Sequence, residues 1–328
     1  MTPPERFGTL PDGSPVDRVR LSAGAIEAQI INWGATLQDL RVGGRRVVLG
    51  SDRFEDYLGS LAYAGATVGR FANRIGGARF DLDGQTWHTD PNFRDHHTLH
   101  GGAGGTGNRL WRFEEMAEDR VTLTLDLPHG DMGFPGDLTV RCTYRLIPPG
   151  TLDVVIEAVT SQATPCSFAH HSYFVLDDSG EITSHLLQVA AEEYLPVDDD
   201  LIPTGEIATV AGTKFDYRQP RMIGTRGYDH NFCLARAAGP LRFAARMASA
   251  VTGLAMIVET TAPGLQVYDG AHLGGAPGYG GTPLRSRAGL ALEAQHWPDS
   301  PNRPEFPDPI LRPGGRYRSE TRYSFLSA

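Results

Sequence analysis

The chain has 328 residues, 40% of them hydrophobic and 21% charged, with a formal net charge of -9 and a pI near 5.6. That length and apolar content suffice for a sizeable core, and an acidic balance without a basic stripe for phosphates excludes nucleic acid as an expected partner. No window approaches the roughly 18 consecutive apolar residues of a membrane span, so no membrane partner is expected either.

The first residues, Met1-Thr2-Pro3-Pro4-Glu5-Arg6, carry no apolar stretch of a signal peptide. Three widely spaced cysteines, Cys142, Cys166 and Cys233, read as free thiols rather than a disulfide framework. Both observations make the cytoplasm the expected location.

Turn punctuation begins at Pro11-Asp12-Gly13, and the best helical candidate is a short turn at Asp52–Leu58. Another turn falls at Asp83-Gly84. His96, His97 and His100 lie close together, but no Glu sits between them and no C-x-x-C exists to organise a metal site. Exposed loop histidines are the plain reading of His96 and His97, and no metal is expected. Gly102-Ala103-Gly104-Gly105-Thr106-Gly107 formally matches a dinucleotide-binding glycine pattern, which has meaning only between a strand and a helix N-terminus. Here Asn108–Phe113 follows and reads as a strand, so the glycines read as a flexible loop beside His100.

Period-2 alternation then dominates. Val121–Leu127 is apolar at odd positions. Leu138, Val140, Cys142, Tyr144 and Leu146 share one face, as do Leu152, Val154, Ile156 and Ala158. Near the end, Tyr317, Ser319, Thr321, Tyr323 and Phe325 share a face opposite Arg318, Glu320 and Arg322. Such patterning with polar outer faces predicts antiparallel sheets. Turns at Pro148-Pro149-Gly150, Pro263-Gly264 and Pro313-Gly314-Gly315 separate the strands, and Pro301–Pro313 reads as an ordered surface loop. No strand–helix–strand alternation and no linker appear. The expected fold is all-β: one large antiparallel β-sandwich domain over residues 1–328.

Two distant segments carry candidate chemistry. Phe168-Ala169-His170-His171-Ser172-Tyr173-Phe174 places His171 among aromatics, where a histidine is more often a hydrogen-bonded core residue. Glu293 follows Gly289-Leu290-Ala291-Leu292, and a carboxylate beside such a run is costly to bury unless paired or functional. A histidine and a glutamate from distant strands are what proton exchange with a substrate needs. Trp297, Tyr173, Phe134 and Tyr268 are candidates for a sugar platform or for core packing. Asp229, in Gly227–Phe232, reads plainly as a turn residue.

Taken in order, these motifs resemble the aldose 1-epimerases (galactose mutarotases). The resemblance rests on Gly65–Ile75, Leu99-His100-Gly101-Gly102, Asp131–Gly136, the His171 segment, Tyr228-Asp229-His230-Asn231, Gly264–Tyr268, Leu292–Asn302 and the closing Ile310–Gly314 with Tyr317. It implies a large antiparallel β-sandwich and a cofactor-free isomerase acting on a small monosaccharide. It implies Glu293 as general base, His171 as general acid and His100 as an assistant near the ring oxygen. Asn73, Arg74, Asp229 and Gln266 would hold sugar hydroxyls. A monomer or weak homodimer is expected. Two departures stand out: His170 replaces the family's usual Asn, and Gln266-Val267-Tyr268 replaces Gln-Phe-Tyr. Both are expected beside the sugar, where His170 would tune substrate preference. Two other readings are a hexose-phosphate epimerase, with Arg94, Arg109 or Arg226 as phosphate partners, and a non-catalytic sugar-binding protein.

Overall fold

The computed structural model describes residues 3–327. Met1 and Thr2, the first residues of the segment read as lacking a signal peptide, lie outside them. Among the described residues, three large antiparallel sheets are accompanied by four two-stranded ones. The largest has nine strands, in the spatial order Arg112–Met116, Arg120–Leu127, Leu138–Ile147, Thr151–Thr160, Tyr317–Ser327, Leu254–Thr260, Arg242–Ala248, Leu186–Val189 and Arg221–Met222. Its central strands alternate as their sequences predict. Leu138, Val140, Cys142, Tyr144 and Leu146 are all buried, while Arg141 and Arg145 between them are exposed. On the outer face Asp153 sits opposite Arg145 and Arg322, and both arginines bind its carboxylate. A buried acid is thus paired rather than orphaned.

Against this sheet packs a six-stranded one, in the order Tyr173–Phe174, Leu290–Gln295, Gly264–Tyr268, Asp229–Cys233, Glu193–Tyr194 and Ala208–Thr209. Phe232, Leu265, Val267, Leu290, Leu292 and Ala294 face the shared core. By the same two-residue period, the alternate residues point the other way. The register sets Asn231 opposite Gln266, and Gln266 opposite Glu293, so one row of polar side chains crosses three strands. A five-stranded sheet, Glu5–Thr9, Pro15–Ala23, Ile26–Ile31, Thr36–Val42 and Arg45–Arg46, adds Val19, Leu21, Ile26, Leu37 and Leu40 to the same core.

The helical turn expected at Asp52–Leu58 is a 3₁₀ turn at Phe54–Leu58. Two expectations need correction. The strand read at Asn108–Phe113 starts only at Arg112, because a 3₁₀ turn at Thr106–Asn108 precedes it. The glycine run is packed, not flexible: an added Cβ at Gly105 would lie 2.3 Å from the His100 carbonyl oxygen. Its glycines permit close backbone approach rather than motion. Cys142, Cys166 and Cys233 are buried and unpaired. Among the described residues no helix is long and apolar enough to cross a membrane.

Candidate active site

Short pairings assemble a cleft over the polar row of the six-stranded sheet. Arg74–Ile75 pairs with Thr98–Leu99, setting Leu99 opposite Arg74. His100 therefore lies beside Asn73. The Asn73 N–H donates to His100 Nδ1 at 3.1 Å, and the His100 N–H donates to the Asn73 carbonyl at 3.0 Å. With Nδ1 accepting, a neutral His100 carries its proton on Nε2 and is a donor there. The next residue, Gly101, has φ +83°, and a Cβ on it would sit 2.1 Å from the Gly69 carbonyl oxygen. Only glycine satisfies both conditions.

His171 lies between two short strands. Ala169–His170 pairs with Thr67–Val68, and Tyr173–Phe174 pairs with Leu290 and Ala291. Its N–H donates to the Ala66 carbonyl, and its own carbonyl accepts from Gly65, both at 2.9 Å. These bonds hold the ring with Nε2 3.6 Å from Glu293 Oε2. His100 packs edge-on against His171, with ring centroids 5.2 Å apart. His171 Nδ1 and Glu293 Oε2 are both buried without a hydrogen-bond partner.

The remaining polar groups form one chain. Asn73 Oδ1 accepts from Arg74 Nη1 at 3.3 Å, Arg74 Nη2 donates to Asp229 Oδ2 at 2.9 Å, and Gln266 Nε2 donates to Asp229 Oδ1. Asn73, Arg74, His100, His171, Asp229 and Glu293 all line a cleft of about 530 Å³, within the range of small-molecule sites. A groove along Arg20, Glu27, Asp39 and Glu118 lies on the five-stranded sheet, away from His171 and Glu293. Four non-glycine residues at the cleft hold left-handed backbone: Tyr63 (φ 69°), Asn73 (66°), His100 (52°) and Leu201 (63°). Each such conformation costs on the order of 1–2 kcal/mol, and such strain clusters where function requires it.

Burial dominates the electrostatics. It pushes the Glu293 carboxyl up to about 8; the nearby Asp229 adds to the rise and Arg74 opposes it. It pushes the His171 imidazole down to about 4, with a backbone hydrogen bond opposing. Burial, then His171 and Arg74, holds His100 well below the usual imidazole value. Between about 4 and about 8 the Glu293–His171 pair therefore holds one proton.

The aldose 1-epimerase family model matches residues 17–324. The chain is 41% identical to galactose mutarotase of Mus musculus, with 98% of each covered, and 38% identical to aldose 1-epimerase of Escherichia coli, with 97% of each covered. The chain belongs to the aldose 1-epimerase family. Among solved structures, the aldose epimerase homologue from C. elegans superposes with a TM-score of 0.90 at 29% identity, covering 95% of this chain and 99% of that one. Galactose 1-epimerase from Lactobacillus acidophilus gives 0.87 at 27% identity, covering 99% of this chain and 98% of that one.

Within this epimerase, several expected residues are placed differently. Gln266 does not line the cleft; it stands behind Asp229 and orients that carboxylate. Of the four candidate aromatics, Tyr173 and Tyr268 reach the cleft. Trp297 is wholly buried, donates to the Pro263 carbonyl and packs on Phe306; Phe134 packs on Phe80. Tyr63, Phe93, Leu201 and His272 also line the cleft. Sequence reading missed them because they come from loops whose meeting depends on long-range packing.

His170 is the sharpest correction. Consecutive residues in extended chain face opposite ways, so with His171 in the cleft, His170 points into the sandwich. There it approaches Tyr323 Oη at 3.4 Å and Ser172 Oγ at 3.0 Å, and it packs edge-on against Tyr144. The expectation that it tunes sugar preference therefore fails on geometry. His170→Asn should leave the galactose-to-glucose ratio of kcat/KM within about twofold while destabilising the fold by about 1–3 kcal/mol, through lost packing and hydrogen bonds. Initial rates on both sugars and a thermal melt check this; a clear change in the ratio without a change in melting would return His170 to the sugar.

The cations expected for a phosphorylated substrate are engaged elsewhere or distant. Arg109 binds Asp131 at 2.6 Å, Arg94 binds Asp200, and Arg226 is exposed outside the cleft. Among the described residues the one guanidinium lining the cleft, Arg74, is committed to Asp229. His96 and His97 do meet a carboxylate, Asp200, at 3.4 Å each. However, His97 Nδ1 accepts from the Gly77 N–H at 2.9 Å, so its ring proton sits on Nε2, the atom a metal would need.

Proposed function

We propose that the protein interconverts the α and β anomers of a free aldohexose, galactose or glucose, by general acid–base ring opening and reclosure. The observation that carries this reading is the buried Glu293–His171 pair, 3.6 Å apart, each with an unpartnered atom, lining a cleft together with Asn73, Arg74 and Asp229.

Ring opening removes the proton from the C1 hydroxyl and adds one to the ring oxygen as the C1–O bond breaks. Glu293 accepts the first proton and His171 donates the second. Their working form, carboxylate and imidazolium, has the same proton count as the neutral pair. In the empty cleft, burial favours the neutral distribution. Sugar hydroxyls donating to the carboxylate, together with the pair's own attraction, favour the charged one. Neutral His100 offers Nε2–H near the ring oxygen without competing for the proton. Asn73, Arg74 and Asp229 hold the remaining hydroxyls, and Gln266 holds Asp229. Rotation about C1–C2 presents the other carbonyl face, and reclosure reverses both transfers. No redox change occurs, so the reaction needs no cofactor. The three buried free cysteines fit a reducing, cytoplasmic setting.

Polarimetry tests this. Freshly dissolved α-D-galactose or α-D-glucose should reach equilibrium faster with the protein than without it, with no added metal and after treatment with a chelator. Glucose 6-phosphate should respond weakly, because among the described residues no unpaired guanidinium or ammonium lines the cleft. Sugar binding without faster mutarotation would favour the non-catalytic reading instead.

A further inference from the structure

Two of the loops that line the cleft have no backbone hydrogen bond between them among the described residues. The first, Phe93–His97, is closed by mutual N–H to carbonyl bonds between its ends, both 2.9 Å, and places Phe93 in the cleft. The second, Asp198–Ile202, is closed at 3.0 Å, and Asp198 Oδ1 accepts the N–H groups of Asp200 and Ile202 at 2.9 Å each; it places Leu201 in the cleft. Both loops carry left-handed residues: Arg94 (φ 51°), Asp95 (61°) and Leu201 (63°). Left-handed backbone at such residues must be held by its surroundings.

One carboxylate, Asp200, bridges the two loops. Arg94 donates to Asp200 Oδ1 and, at 2.7 Å, to the Asp199 carbonyl. His96 Nε2 and His97 Nε2 both approach Asp200 Oδ2 at 3.4 Å. His97 cannot turn its proton away, because the Gly77 N–H occupies Nδ1. The cluster also reaches the sugar-binding chain: the Phe93 ring carries the Arg74 guanidinium 4.8 Å from its centroid, and Arg74 binds Asp229.

We infer that Asp200 is a positioning residue, an ionic latch that holds the two rim loops together so that Phe93 and Leu201 close over the sugar. This rests on reading the cleft as the aldose site. The latch is open to solvent, with Asp200 and Arg94 side chains 38% and 44% exposed. Dissolved ions therefore weaken it. The substrate is uncharged, so any salt dependence of KM must come from the protein.

The test measures mutarotation kinetics of the full chain at low and high salt. Wild-type KM should rise about 2–4-fold between about 20 mM and about 500 mM NaCl, with kcat nearly constant. Asp200→Asn should raise KM about 3–10-fold at low salt and flatten its salt response, while Asp200→Glu restores part of both. Arg94→Gln, at the other end of the latch, should reproduce the Asn phenotype. A wild-type KM indifferent to salt, or Asp200→Asn kinetics equal to wild type, overturns the latch. A variant losing kcat and melting temperature together would also overturn it, by showing a merely structural role. A wild type that does not speed mutarotation overturns instead the reading of the cleft on which the latch rests.

Discussion

Glu293→Gln is expected to cut kcat by on the order of 10²–10⁴, about 3–5 kcal/mol of barrier, while leaving the fold intact. Glutamine keeps the volume and can still accept a hydrogen bond from a sugar hydroxyl. It cannot take the C1 proton. Stability gives an independent readout. Burial raises the Glu293 carboxyl from 4.5 in the unfolded chain to about 8. The folded state therefore binds this proton more tightly. Its contribution to stability is fully present below pH 4.5 and is lost as pH rises toward 8, by up to about 1.4 kcal/mol per pH unit. Glutamine has nothing to ionise. The melting-temperature difference between variant and wild type should thus move in the variant's favour from pH 5 to pH 8. Rates corrected for spontaneous mutarotation, with melts across this range, make the test. A variant keeping more than a tenth of wild-type kcat would show that Glu293 is not the base.

The two-residue period made much of this molecule legible. It identified the core faces of Leu138–Ile147 and Thr151–Thr160, because those strands bury one face completely and leave most of the other partly or fully exposed, the paired Asp153 excepted. It was less informative at Leu290–Gln295, where all six residues are buried. There the loops covering the cleft hide the face that carries Glu293. Strand periodicity also could not say which of His170 and His171 faces the cleft. That depends on registers of two residues each, with Thr67–Val68 on one side and Leu290–Ala291 on the other. Gln266 is on the polar row, yet its amide is turned to Asp229, which lines the cleft while Gln266 does not, a placement only side-chain packing decides. The Asp200 latch joins residues more than a hundred positions apart through side-chain contacts, without a strand pairing between them, and nothing in either local sequence announces the meeting.

His171→Asn should lower kcat by on the order of 10²–10⁴ with KM changed less than about threefold, because the imidazole moves a proton and is not the main hold on the ring. The pH profile is the stronger discriminator. In the wild type, kcat/KM should follow a bell: a second proton below about 4 abolishes the base, and loss of the shared proton above about 8 abolishes the acid. Without His171, water must protonate the ring oxygen, and the residual rate needs only ionised Glu293. The alkaline limb should then turn over, with residual activity rising from pH 7 to pH 9 where the wild type falls. Melting must be followed alongside, since burial holds His171 at about 4 in the folded protein against 6.5 in the unfolded chain. The unfolded state gains that proton first, so stability present above pH 6.5 is lost as pH falls toward 4. His170, at about 3, and His230 and His296, each at about 4, act in the same direction. The asparagine variant removes one of these groups and should lose less stability between pH 6.5 and pH 5 than the wild type. If its alkaline limb instead still falls like the wild type's, His171 is not the acid, and His100, the other imidazole in the cleft, becomes the residue to replace.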